Sequence, residues 1–170
     1  RDGDLFVGLT PDELEPRRAA IAPVPWTWLN QVHGARVVVV RSPGEHAGVD
    51  ADAAVTDVVG ATLAVHTADC AGVLLRSEGP GRRVIGAAHA GWRGLEAGVL
   101  EATVSAMHEL GATAIRWMLG PCISADHYEF SPVELDRLAA RFGERVRSRT
   151  LDGRVAFDLR AGVSSALTAC

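Results

Sequence analysis

The sequence predicts an α/β or α+β fold: one domain over residues 1–170 in which short strands outnumber the helices mixed among them. Three observations carry this. Several runs of four to seven small or β-branched residues are bounded by Gly, Pro or Asp. After Gly91 the apolar spacing switches from a strand-like to a helix-like period. No internal repeat or linker divides the chain.

The elements follow in order. Residues 10–25 hold prolines at 11, 16, 23 and 25 among Glu and Arg. They read as loop or a short helix around 11–20, then an extended entry. Residues 37–41 are a β-branched run and read as a strand. A short strand at 53–56 ends in the turn-rich 57–60, and two more are expected at 62–67 and 72–76. The Ser-Glu-Gly-Pro-Gly-Arg stretch at 77–82 is a turn. Residues 83–89 are apolar and small, as a buried central strand would be. Leu95, Val99, Thr103, Ala106, Met107 and Leu110 then mark one amphipathic helix with Gly111 as its C-cap. Residues 115–119 form another strand, broken by Gly120-Pro121. A helix at 132–142 has Ser131 as N-cap and Pro132 at its first position. Residues 159–169 form the last helix.

Composition narrows the function classes. The 170 residues are 48% apolar and 22% charged, with net charge -4 and no long like-charge run. These proportions suit a packed globule and give no electrostatic footprint for nucleic acid. Arg141, Arg145, Arg147 and Arg149 alternate with residues such as Glu144 and read as a solvated face. Three cysteines, Cys70, Cys122 and Cys170, make a poor disulfide framework, so a reducing, cytoplasmic compartment is expected. No apolar run is long enough to span a membrane, and no signal-peptide pattern is present. Oligomeric state is not legible.

Three segments carry polar residues in apolar or glycine-rich surroundings at strand edges: Asn30-Gln31-Val32-His33-Gly34, Thr67-Ala68-Asp69-Cys70, and His89-Ala90-Gly91-Trp92-Arg93-Gly94. His33, Cys70 and His89 supply the N and S ligands that zinc favours, and a three-ligand set leaves a fourth position open for chemistry. Each residue alone also reads as structural: a hydrogen-bonded histidine, or a small buried thiol. His46, His66, His108 and His127 compete as ligands; His66, inside a strand, is a candidate to support a ligand, and His108 is expected to be exposed. Arg93 carries a fork suited to carboxylate or phosphate, or is a surface arginine in a turn. Asp69 is placed to orient a histidine, move a proton, or cap a turn.

Taken together, these segments resemble the multicopper polyphenol oxidase, or laccase-domain, family, now described as purine nucleoside phosphorylase/adenosine deaminase proteins. The motifs are Asn30–Gly34, Ala51-Asp52-Ala53 with Val55-Thr56, Thr67–Cys70, His89–Gly94, Gly120-Pro121-Cys122-Ile123 and Tyr128-Glu129, in matching order and spacing. The resemblance implies a layered α/β fold rather than the cupredoxin fold of true laccases, and a zinc site at His33, Cys70 and His89. It implies phosphorolysis of purine nucleosides to base and ribose 1-phosphate, with adenosine deamination as a second activity. Cys70, Asp69 and Arg93 are then the catalytic candidates. Trp92 and Tyr128 are candidates to stack on the purine, or core residues. The alternatives are a cysteine hydrolase acting on a cell-wall precursor amide (Cys70 nucleophile, His89 base), a copper-dependent phenol oxidase, and a non-catalytic binding protein. The sequence departs from the family pattern at residues 5–10, where an expected N-terminal segment is diverged or missing, and at His127, where the family usually has Cys.

Overall fold

The computed structural model describes residues 9–170; residues 5–8 of the divergent opening lie outside that range. Two β-sheets are stacked, with helices on their outer faces. The larger sheet has the order β2-β4-β7-β6-β8, formed by Val37–Val39, Ala53–Thr56, Ile85–Ala90, Ala71–Glu78 and Ala114–Leu119. Strand β2 runs parallel to β4; the other pairs are antiparallel. The smaller sheet, β3-β1-β5, is all parallel and built from Val49–Asp50, Trp26–Asn30 and Thr62–Ala64. A separate hairpin joins β9 (Arg147–Arg149) to β10 (Val155–Phe157). This is the mixed α/β class expected.

Strand β4 shows how the layers are set. All four of its residues are buried. Ala53 and Val55 face the main core, shared with helices α2 (Trp92–Ala97), α3 (Val99–Glu109), α4 (Pro132–Phe142) and α5 (Leu159–Thr168). Ala54 faces a second core with Leu29, Val38, Val40 and Ala51, between the two sheets. Alternation of side chains along a strand sends neighbours to opposite faces, so one short strand serves both cores. Helix α1 (Pro11–Ile21) lies across the small sheet, with the Arg18 guanidinium 5.0 Å over the Trp28 ring.

Several expected boundaries shift for physical reasons. The single amphipathic helix after Gly91 is two helices. Gly98 breaks it in the left-handed region (φ 93°), where glycine carries no Cβ penalty. The strand expected at 62–67 ends at Ala64, so His66 lies beyond it. Strand β1 begins just after the expected extended entry and was not itself expected, and β3, β9 and β10 gave no signal. Helix α4 matches its expected span, with Pro at its first turn. Among the described residues no helix is long and apolar enough to cross a membrane.

Candidate metal centre

The three segments meet at one rim of the stacked sheets. The His33 loop leaves the end of β1, Cys70 precedes β6, and His89 sits near the end of β7, opposite Gly72 of β6. One ligand atom from each of His33, Cys70 and His89 lies within 4.8 Å of the others. His33 is exposed, Cys70 half-buried and His89 buried, at 3% exposure. Cys70 Sγ lies 3.7 Å from His33 Nε2. The rings of His33 and His89 meet edge to face at 4.8 Å.

One carboxylate holds this geometry. Asp52, fully buried between β3 and β4, accepts at Oδ1 from His89 Nδ1 (2.8 Å) and from the His33 backbone N–H (2.9 Å). Its Oδ2 accepts from the Gly34 N–H (2.7 Å) and, more weakly, the Val32 N–H (3.3 Å). Its own carbonyl accepts from the His89 backbone N–H at 2.7 Å. Two consequences follow. His33 sits at φ 59°, a left-handed conformation that costs about 1–3 kcal/mol for a non-glycine residue and persists only when neighbours enforce it. Here three successive N–H groups converging on Asp52 enforce it. Second, a carboxylate at Nδ1 fixes the His89 tautomer so that the Nε2 lone pair is free for a metal.

Gln31 sets the remaining register. Its side-chain amide donates to the His66 carbonyl and accepts from the His66 N–H, both at 2.7 Å, acting as a substitute peptide beyond β1 and β5. The chain entering Cys70 is thereby tied to the chain leaving β1. His66 makes no hydrogen bond to a member of the trio; its buried Nδ1 has no partner among the described residues. His108 is exposed, as expected.

The donor set fits a metal, and Gly91 makes the room. A Cβ on Gly91 would lie 2.8 Å from His33 Cδ2 and 2.9 Å from Cys70 Sγ. Burial holds the His89 imidazole below its usual pKa, outweighing the opposing pull of Asp52, so it is neutral at pH 7. Burial, then the charges of Asp69 and Asp52, push the Cys70 thiol above its usual range near 9. In the free protein this sulfur is a thiol at neutral pH.

Around the trio stand Asp69, Arg93 and Tyr128. The Asp69 carboxylate is exposed and bonds to neither histidine; its carbonyl accepts from Ile123 N–H at 2.9 Å. The histidine-orienting carboxylate is Asp52, which the sequence contained within a motif but offered no sign of as a partner. Arg93 is exposed, its guanidinium 4.3 Å over the Trp92 ring. Trp92 meets Phe130 edge-on at 5.4 Å, and Phe130 meets Tyr128 at 5.5 Å, so an aromatic wall links Arg93 to Tyr128. Burial, with Cys70 and Asp69 adding to it, pushes the Tyr128 hydroxyl up to about 12.

Three outcomes are expected. Asp52→Asn keeps the shape but loses a doubly shared acceptor. It should lower stability by ~2–4 kcal/mol and metal affinity by about 10–100-fold, read by thermal melting and chelator competition. Unchanged affinity would remove Asp52 from this role. Gly91→Ala should abolish metal binding while the far-ultraviolet spectrum stays native; full metal stoichiometry in that variant would contradict the packing described. Because Cys70 is protonated and His89 neutral at pH 7, metal binding should release about one proton. Affinity should then weaken about tenfold for each pH unit lowered near neutrality. Calorimetry in buffers of different ionisation enthalpy measures this, and proton-free binding would place the sulfur outside the ligand set.

Comparisons with known proteins identify the family. The family described as Multi-copper polyphenol oxidoreductase laccase matches residues 14–170. A purine nucleoside phosphorylase of Streptomyces coelicolor is 42% identical over 158 residues, covering 91% of this chain and 64% of that protein. Purine nucleoside phosphorylase YfiH of Escherichia coli is 41% identical over 128 residues, covering 72% of this chain and 51% of that one. The chain thus spans less than two thirds of the length of these relatives. Among solved structures, Neisseria meningitidis NMB0706 superposes with a TM-score of 0.78 at 31% identity, covering 97% of this chain and 69% of the other. YlmD of Geobacillus stearothermophilus gives 0.76 at 25% identity, covering 99% and 69%. With the match running over nearly its whole described length, the chain belongs to the multi-copper polyphenol oxidoreductase laccase family, several of whose relatives carry the name purine nucleoside phosphorylase.

Proposed function

We propose that this protein is a zinc-dependent purine nucleoside phosphorylase that also deaminates adenosine, converting adenosine or inosine and phosphate to free base and ribose 1-phosphate. The observation that carries the reading is the convergence of His33, Cys70 and His89, with a free Nε2 on His89, in a chain about 40% identical to proteins of that name. Zinc is proposed because thiolate and imidazole are among its usual ligands and three of them leave a fourth position open. Only two of the chain's six histidines join the cluster, fewer than a multicopper centre requires. A bound zinc would supply Lewis-acid activation of water or of a substrate atom.

The chain's own groups then divide the work. Arg93, stacked on Trp92 and without an ion-pair partner among the described residues, holds phosphate through its planar fork. Asp69, exposed beside Cys70, moves protons. His33, Cys70 and His89 hold the metal. The proposed partners are a purine nucleoside and phosphate, with no nucleic acid or membrane involved, and a cytoplasmic location rests on the sparse cysteines.

A second reading has one observation in its favour: the 3.7 Å approach of Cys70 Sγ to His33 Nε2, with His89 in the same cluster, suits a cysteine hydrolase. One experiment separates the two. Protein purified without added metal is analysed for zinc, then incubated with adenosine and phosphate while adenine, hypoxanthine, inosine and ribose 1-phosphate are followed. About one zinc per chain and phosphate-dependent base release are expected, both lost in Cys70→Ala. A zinc-free protein with rapidly alkylated Cys70 would overturn the proposal. Arg93→Ala should raise the KM for phosphate by about tenfold or more, the scale of a lost charge-assisted hydrogen bond; an unchanged KM would remove Arg93 from phosphate binding.

A further inference from the structure

The Gly120-Pro121-Cys122-Ile123 motif has no role in the proposed reaction, yet it runs beside the segment that carries Cys70. Strands β6 and β8 are antiparallel, and at this end their last paired residues are Val73 and Leu119. The pairing continues past that point. The Gly120 N–H donates to the Gly72 carbonyl at 2.8 Å, and the Ile123 N–H donates to the Asp69 carbonyl at 2.9 Å. Both bonds keep the register of the strands, in which Cys122 stands opposite Cys70. Pro121, which has no N–H, leaves the ladder open between these two rungs. Opposed residues of an antiparallel pair lie roughly 4.5–5.5 Å apart at Cα. A disulfide spans about 4.4–6.8 Å between the same atoms. Both thiols are free and half-buried. Cys170 is exposed at the end of α5, where its thiol bonds to the Ala166 carbonyl at 3.2 Å.

We propose that Cys70 and Cys122 form a modification site, a reversible disulfide that withdraws the sulfur ligand from the metal centre. The inference rests on the metal-centre reading, because the disulfide uses the same sulfur that would bind zinc. The oxidant is hydrogen peroxide. It transfers one oxygen atom to one of the two sulfurs, giving a sulfenic acid and water. The opposed thiol attacks that sulfur; the S–S bond forms, the S–O bond breaks and a second water leaves. The two thiols give up two electrons and two protons, which the cleaved O–O bond takes up. A partner held opposite makes the second step intramolecular, so it outruns irreversible over-oxidation. A dithiol reductant reverses the bond by thiol–disulfide exchange. A metal binds the thiolate and not the disulfide. Bound zinc therefore protects the pair, and oxidation blocks zinc uptake.

The full chain, with and without zinc, is treated with hydrogen peroxide, digested without reduction and mapped by mass spectrometry. In the metal-free protein a peptide joining Cys70 to Cys122 is expected, and the three free thiols should fall to one. Zinc uptake by the oxidised protein, read by metal analysis, should drop about tenfold or more and return after dithiothreitol. Zinc added before the peroxide should slow the cross-link by a similar factor. Reduced Cys122→Ser should take up zinc like wild type. After prolonged peroxide it should not recover, because its Cys70 passes to the irreversible acids. Absence of the Cys70–Cys122 peptide, equal zinc uptake by oxidised and reduced protein, or full recovery of Cys122→Ser overturns this inference alone. Reduced wild-type protein that takes up no zinc overturns the metal centre and this inference with it.

Discussion

The buried carboxylate of Asp52 is the constraint on which the site depends. It is fully enclosed at the junction of the two sheets, where an ion is costly unless fully hydrogen-bonded. Four donors meet that requirement: three successive backbone N–H groups of the His33 loop and the ring N–H of His89. The electrostatic demand of one group thus fixes the loop that carries one ligand and the tautomer of a second. Its backbone adds a third tie, since the His89 N–H donates to the Asp52 carbonyl. Loss of the carboxylate would release the ties on both histidines at once.

Small residues let the layers come close enough for this to work. Ala53, Ala54, Gly86, Ala87, Ala88 and Ala90 line the paired strands β4 and β7, and all are buried. At Gly86 an added Cβ would sit 3.2 Å from Met107 Sδ, so helix α3 rests directly on the strand. At Gly91 the same economy of volume faces the ligands instead of the core. A site built at strand ends, on a sheet packed from both faces, inherits the rigidity of that packing. His89 is thereby the fixed member of the trio, and His33, on an exposed loop, is held through Asp52, with Gln31 tying the loop to His66.

The sequence made some of this legible. Helix α4 could be read to the residue because Ser131, Pro132 and a clear amphipathic stripe are local signals. The small apolar run of β7 and the three ligands at segment edges were also visible. What escaped is tertiary. Asp52 is one acid between two alanines, and nothing local says that it accepts four hydrogen bonds. Gln31 works by pairing with a backbone 35 residues away. Strand β1 follows two prolines and mixes Trp, Thr and Leu, so its period is blurred. Strand β9 is arginine-rich, and it owes its form to its partner β10. The left-handed turn at Gly98 splits a continuous helical pattern, a choice that glycine allows but does not announce.

The electrostatics of Cys70 bear on which chemistry its sulfur serves. A nucleophilic cysteine works as a thiolate and needs its pKa lowered by a cation or a helix terminus. Here burial and two carboxylates act in the other direction. The imidazole of His33, 3.7 Å from the sulfur, is exposed, and no cation bonds the sulfur among the described residues. Such a thiol is a weak nucleophile at neutral pH. A divalent ion held by His33, Cys70 and His89 would reverse the balance, supplying positive charge beside Asp52 and Asp69 and favouring the thiolate. The features that disfavour attack by sulfur are those that favour coordination by it. The neutral imidazole of His89, oriented by Asp52, would offer its Nε2 to such an ion without giving up a proton.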